Sequence, residues 1–315
     1  MSDSWHTAQA WQRDNPGPCL GLGEAGAFDD THIFAPCVAL QEDVFSMWYC
    51  GSKGAVADRV FALGLATSTD GVHFQKSPTA PVFTFGDDTT SVLTPTLLRN
   101  PDGSLLRENG RLRMWFAATD FPRGDGRHTL HESTSLHGLD WYPPSPPQLE
   151  AIYAPTIIKE GDQYRMWYTA VGTEPWSICH AHSADGKNWT VAPEPVLQLD
   201  QTWEAGRLFY PTVLKDGDLY LMWYGSYWGD ARTRTALGLA TSTDGLSWRK
   251  NPHNPVLKPD PERTWESHYT TSQSVMRLPD GRWRVWYGAR TKPPFVHKYF
   301  AIGTAVWTRS DCRKP

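Results

Sequence analysis

The chain has 315 residues, 40% of them hydrophobic, and a formal net charge of −4 with no long run of one sign. That length can bury a sizeable core, and all-β chains often use it for one domain, so a single domain over residues 1–315 is expected. The weak, mixed charge argues against a nucleic-acid backbone or an anionic membrane surface as partner and leaves a small, near-neutral molecule.

The opening "MSDSWHTAQAW" lacks the charged start and apolar run of a signal peptide, and no apolar stretch approaches the ~18 residues that cross a bilayer. A cytoplasmic location is the corresponding expectation. Cys19, Cys37, Cys50, Cys179 and Cys312 are odd in number and without CxxC spacing, which suits reduced thiols better than disulfides or zinc. No cofactor or metal is expected.

From Trp11 the chain reads "WQRDNPGPCL", a segment met again as "WRKNPHNPVL" from Trp248. Along the chain one phrase recurs: "SMWYCGS" from Ser46, "RMWFAATD" from Arg113, "RMWYTAV" from Arg165, "LMWYGSY" from Leu221 and "RVWYGAR" from Arg284. The tryptophans of these copies, Trp48, Trp115, Trp167, Trp223 and Trp286, lie 67, 52, 56 and 63 residues apart. Such spacing is that of a repeat array with one supersecondary unit per copy. Each unit reads as four short strands: a run such as "PTII" or "PTVL", a Gly/Asp turn, the "MWY" strand, and a variable loop leading to a strand such as "ALGLATS". A second tight turn, "TDG", then leads to an aromatic residue, Phe74, Trp141, Trp189 or Trp248. The end of the chain, "KYFAIGTAVW", matches a third strand and has no fourth, whereas "WQRDNPGPCL" is a fourth strand with no first three. Together they complete one unit. The pattern predicts a five-bladed β-propeller closed by the N-terminal strand, which abolishes the open sheet edge.

The lead-ins to the first strands align on Pro36, Pro95, Pro155, Pro211 and Gln273. Seven positions earlier stand Asp29, Asp88, Gln148, Glu204 and Glu266. An acid in four blades of five is most simply structural. Departures from the repeat are more informative: Asp30 alone is acidic in its column, Glu150 and His268 stand where other blades have Thr31, Thr90 and Gly206, and His32, Arg207 and Tyr269 replace Ser91 and Ala151. Polar groups gathered on the variable face of a rigid scaffold suggest a binding site at the propeller mouth.

The five "MWY" strands, the "GLATSxDGxxW" hairpins and the "NPV" exits resemble the five-bladed propeller glycosidases: glycoside hydrolase families 43 and 32, and the family 130 phosphorylases. The likeness covers nearly the whole chain, although the invertase "WMNDPNG" and "RDP" and the phosphorylase "EDPR" are absent. It implies a glycoside hydrolase acting on a small glycoside or oligosaccharide through three carboxylates. Matched by blade, these are Asp30 as nucleophile or base, Glu150 as the charge-tuning carboxylate, here Glu rather than Asp, and Glu204 as general acid. One protonated and one ionised carboxyl flanking the scissile bond is what that chemistry requires. His32, Asp120, Trp176, Arg207, Trp228, Glu266, His268 and Arg290 are the expected substrate-binding residues, with Trp176 and Trp228 stacking on the sugar. Further loop residues, Lys53, Phe121, Arg123, Tyr227, Lys292 and Phe295, offer charge or apolar faces. The alternatives are a non-catalytic carbohydrate-binding propeller, or a propeller that has changed its reaction to phosphorolysis or elimination, for which Arg207, Arg290 and Lys292 would be candidate anion ligands.

Overall fold

The structure, a computed structural model, describes residues 3–100, 102–121, 123–229, 234–292 and 301–309. Five antiparallel sheets follow one another along the chain as the blades of a propeller. The first blade is formed by β1 (His32–Gln41), β2 (Val44–Ser52), β3 (Ala62–Ser68) and β4 (Gln75–Lys76). The second has β5 (Ser91–Leu97), β6 (Leu112–Thr119), β7 (Thr129–Ser135) and β8 (Leu149–Glu150), and the third β9 (Ile152–Glu160), β10 (Gln163–Ala170), β11 (Ser177–Ser183) and β12 (Thr190–Val191). The fourth contains β13 (Ala205–Asp216), β14 (Leu219–Trp228), β15 (Arg234–Ser242) and β16 (Arg249–Lys250), and the fifth β17 (Tyr269–Arg277), β18 (Trp283–Arg290) and β19 (Ala301–Trp307). No helix among the described residues is long and apolar enough to cross a membrane.

The N-terminal segment supplies the fourth strand of the last blade. Gln12 and Val306 exchange both backbone hydrogen bonds at 2.8 Å, and Cys19 donates to the Ile302 carbonyl at 2.8 Å. Buried Arg284 of β18 adds a salt bridge to Asp14 at 2.7 Å. Closure therefore joins residues at opposite ends of the chain, as the two unmatched strands in the sequence required.

The tight turns lock neighbouring blades together. In "SADGKNW", Asp185 accepts the amides of Lys187 and Asn188 at 2.8 Å, bonds that hold its carboxyl well below the ordinary range. Gly186 has φ +72, and a Cβ there would lie 2.8 Å from the Trp115 ring, so the turn requires glycine. Its carbonyl accepts the indole N–H of Trp115 from the previous blade at 2.8 Å. Trp48 bonds to Gly138, Trp167 to Gly245 and Trp286 to Gly71 in the same way. The repeated "MWY…DG" pairing is thus an interblade latch.

The five first strands, β1, β5, β9, β13 and β17, surround the axis and carry the same irregularity. The residue before each alignment anchor, Ala35, Thr94, Ala154, Tyr210 and Ser272, has φ between +48 and +53, and the register with the second strand shifts there. A bulge of this kind re-aims the flanking side chains. Holding five non-glycine residues in this region is unfavourable, and the packed ring around them sustains it.

Candidate functional site

On the face formed by the variable loops, a cavity of about 530 Å³ opens on the axis. Its composition follows from the bulge. The residue two places before each anchor, Phe34, Leu93, Tyr153, Phe209 and Thr271, lines the cavity in all five blades. Four places before the anchor, Ser91, Arg207 and Tyr269 line it too, since alternate residues share one face of a strand. The ends of second strands contribute Thr119, Tyr227 and Arg290, and the following loops Arg59, Phe121, His128 and Trp176. The lower axis narrows to a space of about 40 Å³ between the five anchors, crossed by Arg99.

Arg290 dominates the electrostatics. Its guanidinium lies 3.0 Å from the centroid of the Tyr269 ring, and Tyr153, Tyr210 and Tyr227 surround it. Burial lowers its pKa to about 10, which leaves it charged at neutral pH. The Tyr153 and Tyr210 hydroxyls bond to each other at 2.6 Å; burial raises both pKa values, so neither is a counter-ion. Arg207 stacks on Trp176, 3.9 Å from its centroid, and pairs with Glu174 through two nitrogens. Arg59 donates to the Val56 carbonyl at 2.8 Å and lies over Phe121. His128 bonds to the Gly126 carbonyl at 3.0 Å, and its burial favours the neutral imidazole. Among the described lining residues there is no aspartate or glutamate.

Of the substrate-binding residues expected from sequence, Trp176, Arg207 and Arg290 meet in this cavity, joined by Phe121 and Tyr227 of the further loop residues, whereas the three expected carboxylates and the remaining substrate-binding residues lie elsewhere. The Glu204 side chain is buried within the fourth blade, where it accepts from Tyr224 at 2.8 Å, pairs with Lys250 at 2.8 Å and accepts the amides of Asp200 and Gln201. Glu266 repeats this clamp with Tyr287 and Arg13, and Asp29 with Tyr49 and Lys76 at 2.9 and 2.5 Å. In each case the acid ties the first-strand lead-in to the "MWY" tyrosine and to a base on the fourth strand. The second blade has Phe116 in place of that tyrosine, and its Asp88 is exposed.

Asp30 caps its own loop, accepting from Gly26 N at 2.7 Å, Thr31 Oγ1 at 2.9 Å and Gly54 N at 3.2 Å. Glu150 ends β8, paired through its backbone with Thr129 at the outer edge of blade two, and is exposed. His32 is fully buried against Ser52 at 3.1 Å. His268 is half-buried beside Ser267 at 3.0 Å, with its pKa lowered by burial and by Arg234 and Arg290. Asp120 accepts from Gly126 N at 3.2 Å within its own loop. Trp228 lies under the Lys258 ammonium at 5.5 Å and does not line the cavity. Phe295 lies outside the described residues. Among these there is no cluster of three or more His, Cys, Asp or Glu side chains able to hold a metal ion.

A closed ring of five blades with an axial pocket on the loop face is a five-bladed β-propeller, a fold shared with several solved structures described as glycoside hydrolases. A glycoside hydrolase superposes with a TM-score of 0.75 at 17% identity, over 96% of this chain and 93% of its own. A protein of the GH130 family of mannoside phosphorylases, a family containing glycoside hydrolases that target beta-1,2 mannosidic linkages in Candida mannan, gives 0.72 at 17% identity, over 95% and 94%. An N-acetylgalactosamine deacetylase from F. plautii, in complex with blood group B trisaccharide, gives 0.68 at 17% identity, over 96% and 95%. In sequence, an uncharacterized protein of Mycobacterium tuberculosis, strains CDC 1551 / Oshkosh and ATCC 25618 / H37Rv, is 26% identical over 238 residues, 71% of this chain and 75% of its own. No family model matches the chain.

Proposed function

We propose that this chain is a carbohydrate-active propeller that takes a small saccharide into the axial cavity. The cavity itself carries this reading: it is large enough for a sugar or short oligosaccharide and joins aromatic walls to a few convergent polar groups. A sugar presents an apolar C–H face and a hydroxyl rim, which such a surface matches. The trisaccharide bound to one structural neighbour is in keeping with a saccharide ligand.

Hydrolysis by Asp30, Glu150 and Glu204 is a distinct second proposal, supported by the glycoside hydrolase-like neighbours. It needs two carboxyls about 5 to 9.5 Å apart around one glycosidic bond, whereas none of the three lines the cavity. Calorimetry with a saccharide panel, run beside turnover assays on aryl glycosides, separates the two. Saccharide binding by wild type and by Asp30→Asn alike supports the cavity reading. Turnover by wild type that Asp30→Asn abolishes would install the carboxylate mechanism, and absence of binding to any saccharide would remove the cavity reading.

A further inference from the structure

The cavity has two unlike walls. Blades one and two supply Phe34, Phe61, Leu93 and Phe121. Leu93 and Phe61 are buried, the Phe34 ring packs on that of Phe61 with centroids 5.1 Å apart, and Phe121 is 48% exposed, so the apolar strip runs from the interior out to solvent. The two hydroxyls beside this strip already accept backbone amides, Ser91 that of Phe61 at 3.1 Å and Thr119 that of Phe121 at 3.3 Å. Blades three to five supply Tyr153, Tyr210, Tyr227 and Tyr269 instead, four hydroxyl-bearing rings, with Trp176 at 6.3 Å from Tyr153.

Resting on the saccharide reading above and deepening it, we propose that the ligand is a glycoside with an apolar aglycone, its sugar ring against the tyrosine wall and its aglycone along Phe34, Phe61, Leu93 and Phe121. A second sugar ring on that strip would bring hydroxyls to a surface of ring carbons and methyl groups, and a hydroxyl stripped of water without a new partner is costly to bury. An alkyl or aryl group gains where the second sugar would lose: each methylene taken from water strengthens binding by up to about fourfold. The volume of about 530 Å³ falls in the range of pockets that enclose drug-sized ligands, which leaves room for both parts.

The test is calorimetric titration of the full chain with methyl, butyl and hexyl 1-thioglycosides of glucose, galactose and mannose, whose sulfur linkage resists hydrolysis, beside disaccharides of the same sugars and 1-hexanol. The expected result, in at least one sugar series, is an affinity that rises about tenfold or more from methyl to hexyl, the hexyl glycoside also binding more tightly than the disaccharide and than 1-hexanol. Phe121→Ala and Phe34→Ala should each reduce the hexyl-to-methyl ratio several-fold, with melting temperatures recorded for both. Should Phe34→Ala not fold, Phe121→Ala carries the test, because that side chain stands half in solvent. Methyl and hexyl glycosides of equal affinity, disaccharides tighter than hexyl glycosides, or a ratio untouched in every variant that folds would overturn the aglycone assignment while leaving the saccharide reading intact. Binding of 1-hexanol as tight as that of the hexyl glycosides would remove the saccharide reading and the proposal with it, as would failure of every glycoside to bind.

Discussion

Trp5 packs edge-on against Trp223, their ring centroids 6.0 Å apart and their planes at 82°. Trp223 is the one "MWY" tryptophan whose indole N–H finds no acceptor among the described residues. The reason is topological: the blade that follows it is closed by the N-terminal strand, so no third-to-fourth-strand turn offers a glycine carbonyl. The N-terminal segment fills the place with an aromatic cluster of Trp5, Trp223, Trp283 and Trp307. Substitution by Phe should expose the difference. Trp115→Phe leaves the buried Gly186 carbonyl without its indole donor and should cost roughly 1–3 kcal/mol more than Trp223→Phe, which breaks no such bond. Urea unfolding of the two variants measures this, and equal losses would refute the latch.

Closure of the ring by the N-terminus makes its removal a global event. Deleting residues 1–20 takes away the outer strand on β19, the Asp14 partner of Arg284 and the Trp5 plug together. The melting temperature of the truncated chain should fall sharply, and an unchanged value would contradict the closure.

The acid clamp and the hydrolytic proposal make opposite forecasts for Glu204. Breaking one partner of a buried ion pair costs about 3–5 kcal/mol, so Glu204→Ala should destabilise the fold by that order and leave saccharide affinity nearly unchanged in whatever fraction remains folded. Chemical denaturation and calorimetry on one preparation check both halves. A stable variant that has lost only turnover would favour the general acid.

Stability should also depend on pH through His180. Burial, with Arg165 and His182 nearby, lowers its pKa from 6.5 to about 4. Because the folded pKa lies below the unfolded one, the unfolded chain binds more protons between pH 6.5 and 4, and stability is lost as pH falls through that window. Unfolding free energies measured from pH 7 to 4.5 should therefore slope downward, and the slope should be shallower in His180→Gln. An identical slope in the variant would assign the dependence to other groups.

The parts legible in the sequence were those that repeat. Blade number, hairpins and the split last blade follow from tryptophans and Asp-Gly turns whose spacing and chemistry recur. The variable face was also legible, since Trp176, Arg207 and Arg290 converge there. The columns that line the cavity were harder to see. Attention to the acids seven to five places before the anchor passed over Tyr153, Phe209 and Tyr210, because an unforeseen left-handed residue before the anchor re-aims the strand. Counting back in twos from the anchor would have found Phe34, Leu93, Tyr153, Phe209 and Thr271 as one ring. Arg59 and His128 come from loops of individual length, with no repeat to mark them.

The same distinction separates two loop tryptophans. Trp176 lines the cavity and Trp228 does not, so Trp176→Ala should weaken saccharide binding about tenfold or more, the scale of a lost aromatic contact at a binding hot spot. Trp228→Ala should leave the affinity within error. Calorimetry on both variants decides, and the reverse order would place the ligand further out on the loops of blade four.

The most direct test of the axial cavity as the saccharide site is a crystal structure of the protein with the tightest-binding sugar of the panel. The sugar ring is predicted to lie between Trp176 and the Tyr153–Tyr210 pair. A sugar bound instead between Asp30 and Glu150, with the axial cavity holding only water, would contradict it.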